Sequence, residues 1–347
     1  MCPDRQIEVT VSGATDILVI ADDLTGALEA GAKFAARGVR AQVTTRIDFT
    51  GGEGVPVIDT ETRHLPPEEA ARIIASIPAA SARLIYKKTD STLRGNIAAE
   101  LGALAAACPG STIAYIPAYP AAGRTVTRGE LRVHGTPVDR TSFADDPLNP
   151  IRDSAIAALL GDNPSCTVHD GETDADVAAA VAAARSDERC RIIAGPASVA
   201  EQLAAGFGPP STPVWPMVNA CLIVNGSLHE ASLRQIAYAE ASGCAFPWRV
   251  FHPAIGPGAS PLDIAAETAR AVLRDLAGFE ALMIFGGDTA FAILRELGCA
   301  LIEPLGEVVT GVPISHVPGT GLHLITKAGG FGGDSLICEV KRILHAD

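Results

Sequence analysis

Short apolar runs alternate along this chain with segments whose apolar residues recur at helical spacing. No polar residue interrupts Ile17-Leu18-Val19-Ile20-Ala21, the pattern of a strand buried on both faces. It passes directly into Asp22-Asp23-Leu24-Thr25-Gly26-Ala27, and helical spacing continues to about Arg37, where Gly38 ends it. Residues 42–45 and 57–60 read as further strands, and 67–77 as a helix with Pro67 in its first turn. Leu84-Ile85-Tyr86 reads as a strand that enters the polar turn Lys87-Lys88-Thr89-Asp90-Ser91-Thr92-Leu93-Arg94-Gly95-Asn96. A helix over about 95–107 and a strand over 113–116 follow it, so the alternation predicts a parallel, doubly wound sheet. The rhythm breaks from 117 to 150, a Pro- and Gly-rich stretch with one hairpin expected at 131–138. Loops of this length usually carry function. A second strand and helix series covers 151–160, 166–168, 174–185 and 191–194, with a helix from Pro196.

Gly206-Phe207-Gly208-Pro209-Pro210-Ser211-Thr212-Pro213 stops both helices and strands, and a chain of 347 residues is long enough for two cores. The expected organisation is residues 1–207 as one domain, 208–213 as a linker and 214–347 as a second domain. The expected fold class is α/β, two domains, each a largely parallel sheet flanked by helices, with an active site in the cleft between them. In the second domain three strand-like runs end in small or hydroxyl residues: Asn225-Gly226-Ser227, Gly286-Gly287-Asp288-Thr289 and Ala328-Gly329-Gly330-Phe331-Gly332. Glycine lets a backbone approach phosphate closely, and helix N-terminal amides attract its charge, so the three together point to a nucleotide. Neither G-x-x-x-x-G-K-[ST] nor a G-x-G-x-x-G after the first strand is present, which argues against P-loop and Rossmann dinucleotide folds.

A composition of 48% hydrophobic and 19% charged residues is ordinary for a globular enzyme. The net charge of -13 argues against nucleic-acid partners and anionic membrane surfaces. Between residues 83 and 140, however, eight Lys or Arg face four acids, a local excess that suits a small anionic substrate. The eight cysteines show no C-x-x-C and no zinc-like grouping, so free thiols in a reducing compartment are expected. The first residues lack the apolar core of a signal peptide and no apolar run approaches a membrane span, so the expected location is cytoplasmic.

Candidate chemistry gathers at the strand ends. From Lys87 to Arg94, two lysines, an aspartate, three hydroxyls and an arginine would grip an anion and leave a carboxylate to handle a proton; the alternative is a helix start capped by Asp90 or Ser91. Of Asp22 and Asp23, one is expected to cap the following helix and the other to point into the crevice as a proton acceptor or beside a metal. Thr60-Glu61-Thr62-Arg63 is polar enough to line the same crevice or to be only a loop. Gly123-Arg124-Thr125 offers either a guanidinium that clamps a carboxylate or a salt-bridged surface arginine.

Ala21-Asp22-Asp23-Leu24-Thr25-Gly26-Ala27, Lys88-Thr89-Asp90-Ser91-Thr92-Leu93-Arg94-Gly95 and Gly123-Arg124-Thr125-Val126, in that order, resemble the N-terminal domain of the four-carbon acid sugar kinases. Asp146-Pro147-Leu148-Asn149-Pro150 looks like the same family's loop end. Gly226-Ser227, Gly286-Gly287-Asp288-Thr289, Gly311-Val312-Pro313 and residues 327–332 are similar to its nucleotide-binding domain. The resemblance implies ATP-dependent phosphorylation of threonate, erythronate or a 3-oxo-tetronate at the terminal hydroxyl. It places Asp22, Asp23, Lys88, Asp90, Arg94 and Arg124 around the acid sugar, and Ser227, Gly286, Gly287, Asp288, Thr289 and Gly329 at the nucleotide. Lys88, Arg94 and Arg124 would fix the substrate, while Asp22, Asp23 or Asp90 takes the proton of the attacking hydroxyl. Mg2+ bridging the ATP phosphates is expected, with few or no dedicated protein ligands. Where many relatives read K-S-G-N-F-G, this chain has Lys327-Ala328-Gly329-Gly330-Phe331-Gly332. The rival readings are a non-catalytic sensor of acid sugar or nucleotide and a kinase for another small sugar acid. A homo-oligomer is compatible with the sequence.

Overall fold

The structure, a computed structural model, describes residues 16–47, 53–161, 163–227, 229–244, 247–252, 260–327 and 330–345. Its first half runs β1 (Ile17–Ala21), α1 (Leu24–Ala35), β2 (Ala41–Thr44), β3 (Val55–Asp59), α2 (Pro67–Ser76), β4 (Leu84–Lys88), α3 (Ile97–Ala107) and β5 (Thr112–Tyr115). A small sheet of β6 (Arg124–Thr127), β7 (Glu130–Val133) and β8 (Thr136–Pro137) interrupts the series. It resumes with α4 (Ile156–Leu160), β9 (Cys166–Val168), α5 (Asp174–Ser186), β10 (Cys190–Gly195) and α6 (Ala197–Ala205). The second half comprises β11 (Cys221–Asn225), α7 (Glu230–Ala241), β12 (Arg249–Phe251), α8 (Pro261–Asp275), β13 (Ala281–Phe285), α9 (Gly287–Glu296), β14 (Leu301–Val309), β15 (Val312–Val317), β16 (Leu322–Lys327) and α10 (Leu336–Leu344).

Thirteen of these strands form one sheet, in the order β12-β11-β13-β16-β15-β14-β2-β3-β1-β4-β10-β5-β9. β1, β3, β4, β10, β5, β9 and β2 pair in parallel, as do β12, β11, β13 and β16. The polar-free strand pattern follows from this placement: every residue of β1 is buried, with helices on both faces of the sheet. Burying one Ile or Leu side chain contributes about 1.5 to 3 kcal/mol, so runs of this kind hold the centre of each half.

β14 and β15 run antiparallel, and neither strand is apparent from the sequence pattern. β14 alternates buried and half-buried positions and carries Pro304 and Gly306, residues that read as breakers; the ladder shifts register there. β14 then pairs with β2 through Leu301 with Thr44 and Ile302 with Val43, which joins the two half-sheets edge to edge. Helix α1 reinforces the seam. Gly31 lets it approach Pro304, and Lys33 Nζ lies 2.8 Å from Glu307 and 3.4 Å from Glu201.

The expectation of free thiols is corrected at one pair, since Cys244 and Cys338 form a disulfide with their Cα atoms 5.7 Å apart. These cysteines are 94 residues apart, and only the packing of α7 against α10 brings them together, so spacing gave no sign of it. Among the described residues no helix is long and apolar enough to cross a membrane.

Candidate active site

The carboxyl ends of β3, β1 and β4 are neighbours in the sheet, so the residues that follow them collect at one edge. Arg63, in the segment after β3, is the centre of the cluster. It donates from Nε and Nη2 to the two oxygens of Asp22 at 2.9 and 2.8 Å and from Nη1 to Asp23 Oδ2 at 2.6 Å. Its Nη1 stands 3.8 Å from Asp90 Oδ1. Burial alone would favour a protonated Asp22, but Arg63, with Lys87 and Lys88 behind it, outweighs burial and holds the carboxyl below its usual range.

The expected division between Asp22 and Asp23 needs correcting. Asp23 is the N-cap of α1, with Oδ1 accepting from the Gly26 amide at 2.9 Å, and it is also the carboxylate that faces the other half. Its Oδ2 lies 3.3 Å from the position a Cβ on Gly287 would occupy. Asp22, expected to be a crevice candidate, is 1% exposed because Arg63 claims both of its oxygens.

Asp90 is equally committed. Its Oδ2 accepts from the Thr92 amide at 2.9 Å, Thr92 Oγ1 at 2.5 Å and Arg94 Nε at 3.1 Å, while Oδ1 accepts from Arg94 Nη2 at 2.8 Å. Burial opposes ionisation here too, yet Arg94 and Arg63 hold the carboxyl well below the usual carboxylate range. Asp90 thus caps its own turn rather than α3, whose N-cap Asn96 makes no side-chain cap.

Among the cations, Arg94 Nη1 also reaches Asp146 at 3.1 Å, and Lys88 Nζ donates to the Thr89 carbonyl at 3.0 Å with Glu29 3.8 Å away. Arg124 differs. It is 7% exposed with no carboxylate in ion-pair range among the described residues; Nη1 donates to the Ala122 carbonyl, and the buried Nε has no partner. Burial lowers its pKa, and nearby acids only partly offset this. A small carboxylate would satisfy such a guanidinium.

The glycine loops of the second half meet this cluster. Gly286 takes φ +108° as the N-cap of α9, which has no side-chain cap, so the first amides of the helix are open to an anion. A Cβ on Gly226 would overlap Thr289, and one on Gly286 would sit 3.0 Å from the Gly226 carbonyl, so the loops carrying Ser227 and Gly286–Thr289 interlock through backbone. The His229 ring, at the N-cap of α7, lies 3.3 Å from the corresponding position on Gly330. Lys327, at the end of β16, donates to the Phe331 carbonyl at 3.1 Å, and burial pushes its amine down to about 7. Side-chain contacts that span the halves at this cluster include His64 Nε2 to Asp288 at 3.2 Å and the Phe331 ring 5.6 Å from the Arg124 guanidinium. The structure therefore brings the acidic tip after β1, the turn after β4, Arg124 and the loops with Ser227 and Gly286–Thr289 into one cleft. Gly329 lies outside the described residues, as does Ala328.

Residues 17–164 match the family described as a sugar-binding N-terminal domain, and 258–337 the one described as a nucleotide-binding C-terminal domain. The chain is 30% identical to a D-threonate kinase of Bordetella bronchiseptica over 96% of its own length and 98% of the relative's. The chain belongs to the tetronate kinase family. A 3-oxo-tetronate kinase of Methylobacterium radiotolerans is 26% identical over 90% of this chain and 96% of its own. A Salmonella typhimurium structure described as a putative tRNA synthase shares the fold, with a TM-score of 0.75 and 19% identity over 95% of this chain and 99% of that one.

In this family member the cleft also holds residues that sequence reasoning did not single out. Burial and the charge of Asp23 push Asp59 up to about 8, and its Oδ2 is buried without a hydrogen-bond partner. Glu61 is raised well above its usual value by burial and by Asp59, and accepts from the first amide of α1 at 2.9 Å. Glu29 is raised by burial and lies 3.4 Å from the Tyr119 hydroxyl. Only the polar end of Thr60-Glu61-Thr62-Arg63 gave a signal for any of these. A separate cavity of about 200 Å³ opens at the seam between Leu24, Thr44, Phe291, Arg295 and Cys299. Its walls are mainly apolar and hold no group of ionisable partners, so the chemistry belongs to the carboxylate and guanidinium cleft.

Proposed function

We propose that the protein transfers the γ-phosphoryl group of ATP to the terminal hydroxyl of a four-carbon acid sugar, either threonate, erythronate or a 3-oxo-tetronate. The observation that carries the reading is Arg124, a buried guanidinium with an unpartnered Nε, across one cleft from the interlocked loops that carry Ser227 and Gly286–Thr289. Membership of the tetronate kinase family supports it.

Arg124 receives the substrate carboxylate, and Arg94 and Lys88 line the same side. The open amides of α9 and the loops carrying Ser227 and Gly286–Thr289 receive the phosphates. Mg2+ would ride on those phosphates, neutralising their charge, as phosphoryl transfer from ATP requires. Phosphoryl transfer asks mainly for alignment and charge neutralisation. Of the three aspartates, Asp23 is the best placed to accept the proton of the attacking hydroxyl, because its Oδ2 is at the boundary of the two halves. Asp22 and Asp90 hold the arginines that frame it.

The test is release of ADP from Mg-ATP with a panel of tetronates, alongside five- and six-carbon aldonates. We expect turnover with a four-carbon acid. Binding of acid and nucleotide without ADP release would instead make the protein a sensor, and preference for a longer aldonate would move it to another acid kinase.

A further inference from the structure

Phe331, a few residues after β16 in the second half, reaches the side chains of Arg124 and Tyr119 in the first. The carbonyl of Phe331 accepts from Lys327 Nζ at 3.1 Å and from Gln235 Nε2 at 2.8 Å. Gln235, fully buried on α7, also donates to the carbonyls of Gly332 and Gly333 at 3.0 Å each. Both anchors start from phosphate-facing loops: Lys327 ends β16 beside Phe285 and Gly286, and α7 opens just after Gly226 and Ser227. The side chain of Phe331 nevertheless points out of its own half. Its ring centroid is 5.6 Å from Arg124 Cζ and 6.4 Å from the Tyr119 ring. Space for the ring is provided by Gly311, at φ +75°, where a Cβ would come within 2.5 Å of Phe331 Cδ1.

A ring over one face of a guanidinium attracts the cation and excludes water from that face. The partner-free Nε lies on the guanidinium edge and stays available to a carboxylate, whose attraction strengthens as the surroundings dry. In the structure Phe331 holds this position with its own carbonyl tied to Lys327 and Gln235. Whatever fixes the segment therefore finishes the acid receptor.

We infer that Phe331 is a positioning residue that couples the two substrates: nucleotide phosphates bound at the loops of the second half hold Phe331 over Arg124 and so tighten binding of the acid sugar. Linkage makes the effect reciprocal, so the acid raises nucleotide affinity by the same factor. The inference rests on the kinase reading above but is read from equilibrium binding, which needs no turnover.

The experiment is calorimetric titration of D-threonate and D-erythronate into the full chain, with and without a saturating non-hydrolysable ATP analogue and Mg2+. In the wild-type protein the analogue should tighten acid binding by about 5- to 150-fold, the usual span of such couplings. Phe331→Ala should bring that ratio close to one while both ligands still bind, and Phe331→Tyr, which keeps an aromatic face, should restore it. Gly311→Ala, which displaces the ring from the other side, should lower the ratio without touching Phe331. A general loss of packing would weaken both affinities and leave the ratio in place. Phe331→Ala with the wild-type ratio, or a wild-type ratio of one, overturns the coupling and leaves the kinase reading standing. Failure of the wild type to bind these two acids or any other tetronate, 3-oxo-tetronates included, overturns both.

Discussion

Capping and proton transfer ask different things of Asp23, and an Asp23→Asn change separates them. Asparagine caps a helix about as well as aspartate, so the bond to the Gly26 amide survives and stability should fall by about 1 to 2 kcal/mol, mostly through the weakened contact with Arg63. An amide accepts no proton at neutral pH, so kcat should drop by about 10²- to 10⁴-fold with little change in the KM for ATP. Thermal melts and steady-state kinetics on one preparation provide both readings; a kcat close to wild type would remove Asp23 from the proton-transfer role. The sequence disclosed the adjacent carboxylates but not their roles, because those depend on Arg63, which arrives from another strand end some forty residues away. Asp59 and Glu29 were less visible still. Each is a single acid within an otherwise apolar or helical pattern, and only burial and neighbouring charge distinguish it. Arg124 was legible as a guanidinium in an irregular stretch; its lack of an acidic partner was not, since pairing is a property of the fold.

At the scale of elements, the parallel strands and the helices between them follow from uninterrupted apolar runs and capping residues, and β1, β4, β11, β13 and β16 lie where those runs predict them. The hairpin expected at 131–138 is present as β7 and β8, and β6 adds a strand through a turn at Arg128-Gly129, both at positive φ. β14 escaped because a strand containing Pro304 and Gly306 looks like a loop until the partner that tolerates its register shifts is known. The same strand makes Gly31 a sensitive position. A Cβ there would stand 2.8 Å from Pro304 Cγ and 3.4 Å from Ala41 Cβ and Val43 Cγ2, and the branched atoms of valine would press further. Gly31→Val should destabilise the protein by about 1 to 3 kcal/mol through overpacking at the seam, despite glycine's poor helix propensity. Denaturant unfolding would report it. An unchanged midpoint would mean that α1 can shift away from β14 without loss.

Across the whole molecule, the seam of β2 and β14 makes one sheet of the two halves, yet the face that carries the chemistry is bridged by side chains, and one bridge responds to pH. His64 Nδ1 accepts from Asn149 Nδ2 at 2.6 Å, and Nε2 meets Asp288, in the first turn of α9, at 3.2 Å. The hydrogen bond to Asp288 raises its pKa above the ordinary 6.5; burial and Arg63 work against this, and Glu61 adds to it. A histidine whose folded-state pKa is raised stabilises the fold fully below its unfolded value of about 6.5 and loses that contribution as pH rises through the folded value. The bridge between halves should therefore be tightest in mild acid and weaken toward alkaline pH. His64→Gln, which can still bond Asn149 but carries no charge, should melt below the wild type at about pH 5.5, with the gap narrowing at about pH 8.5. Asp288→Asn should give the same narrowing from the other side, because either change removes the one ion pair. A gap that stays constant across that range would mean His64 is neutral throughout and that the contact is an uncharged hydrogen bond, leaving the two halves joined on this face by Phe331 and by the close approach of Gly287 to Asp23 and Thr25.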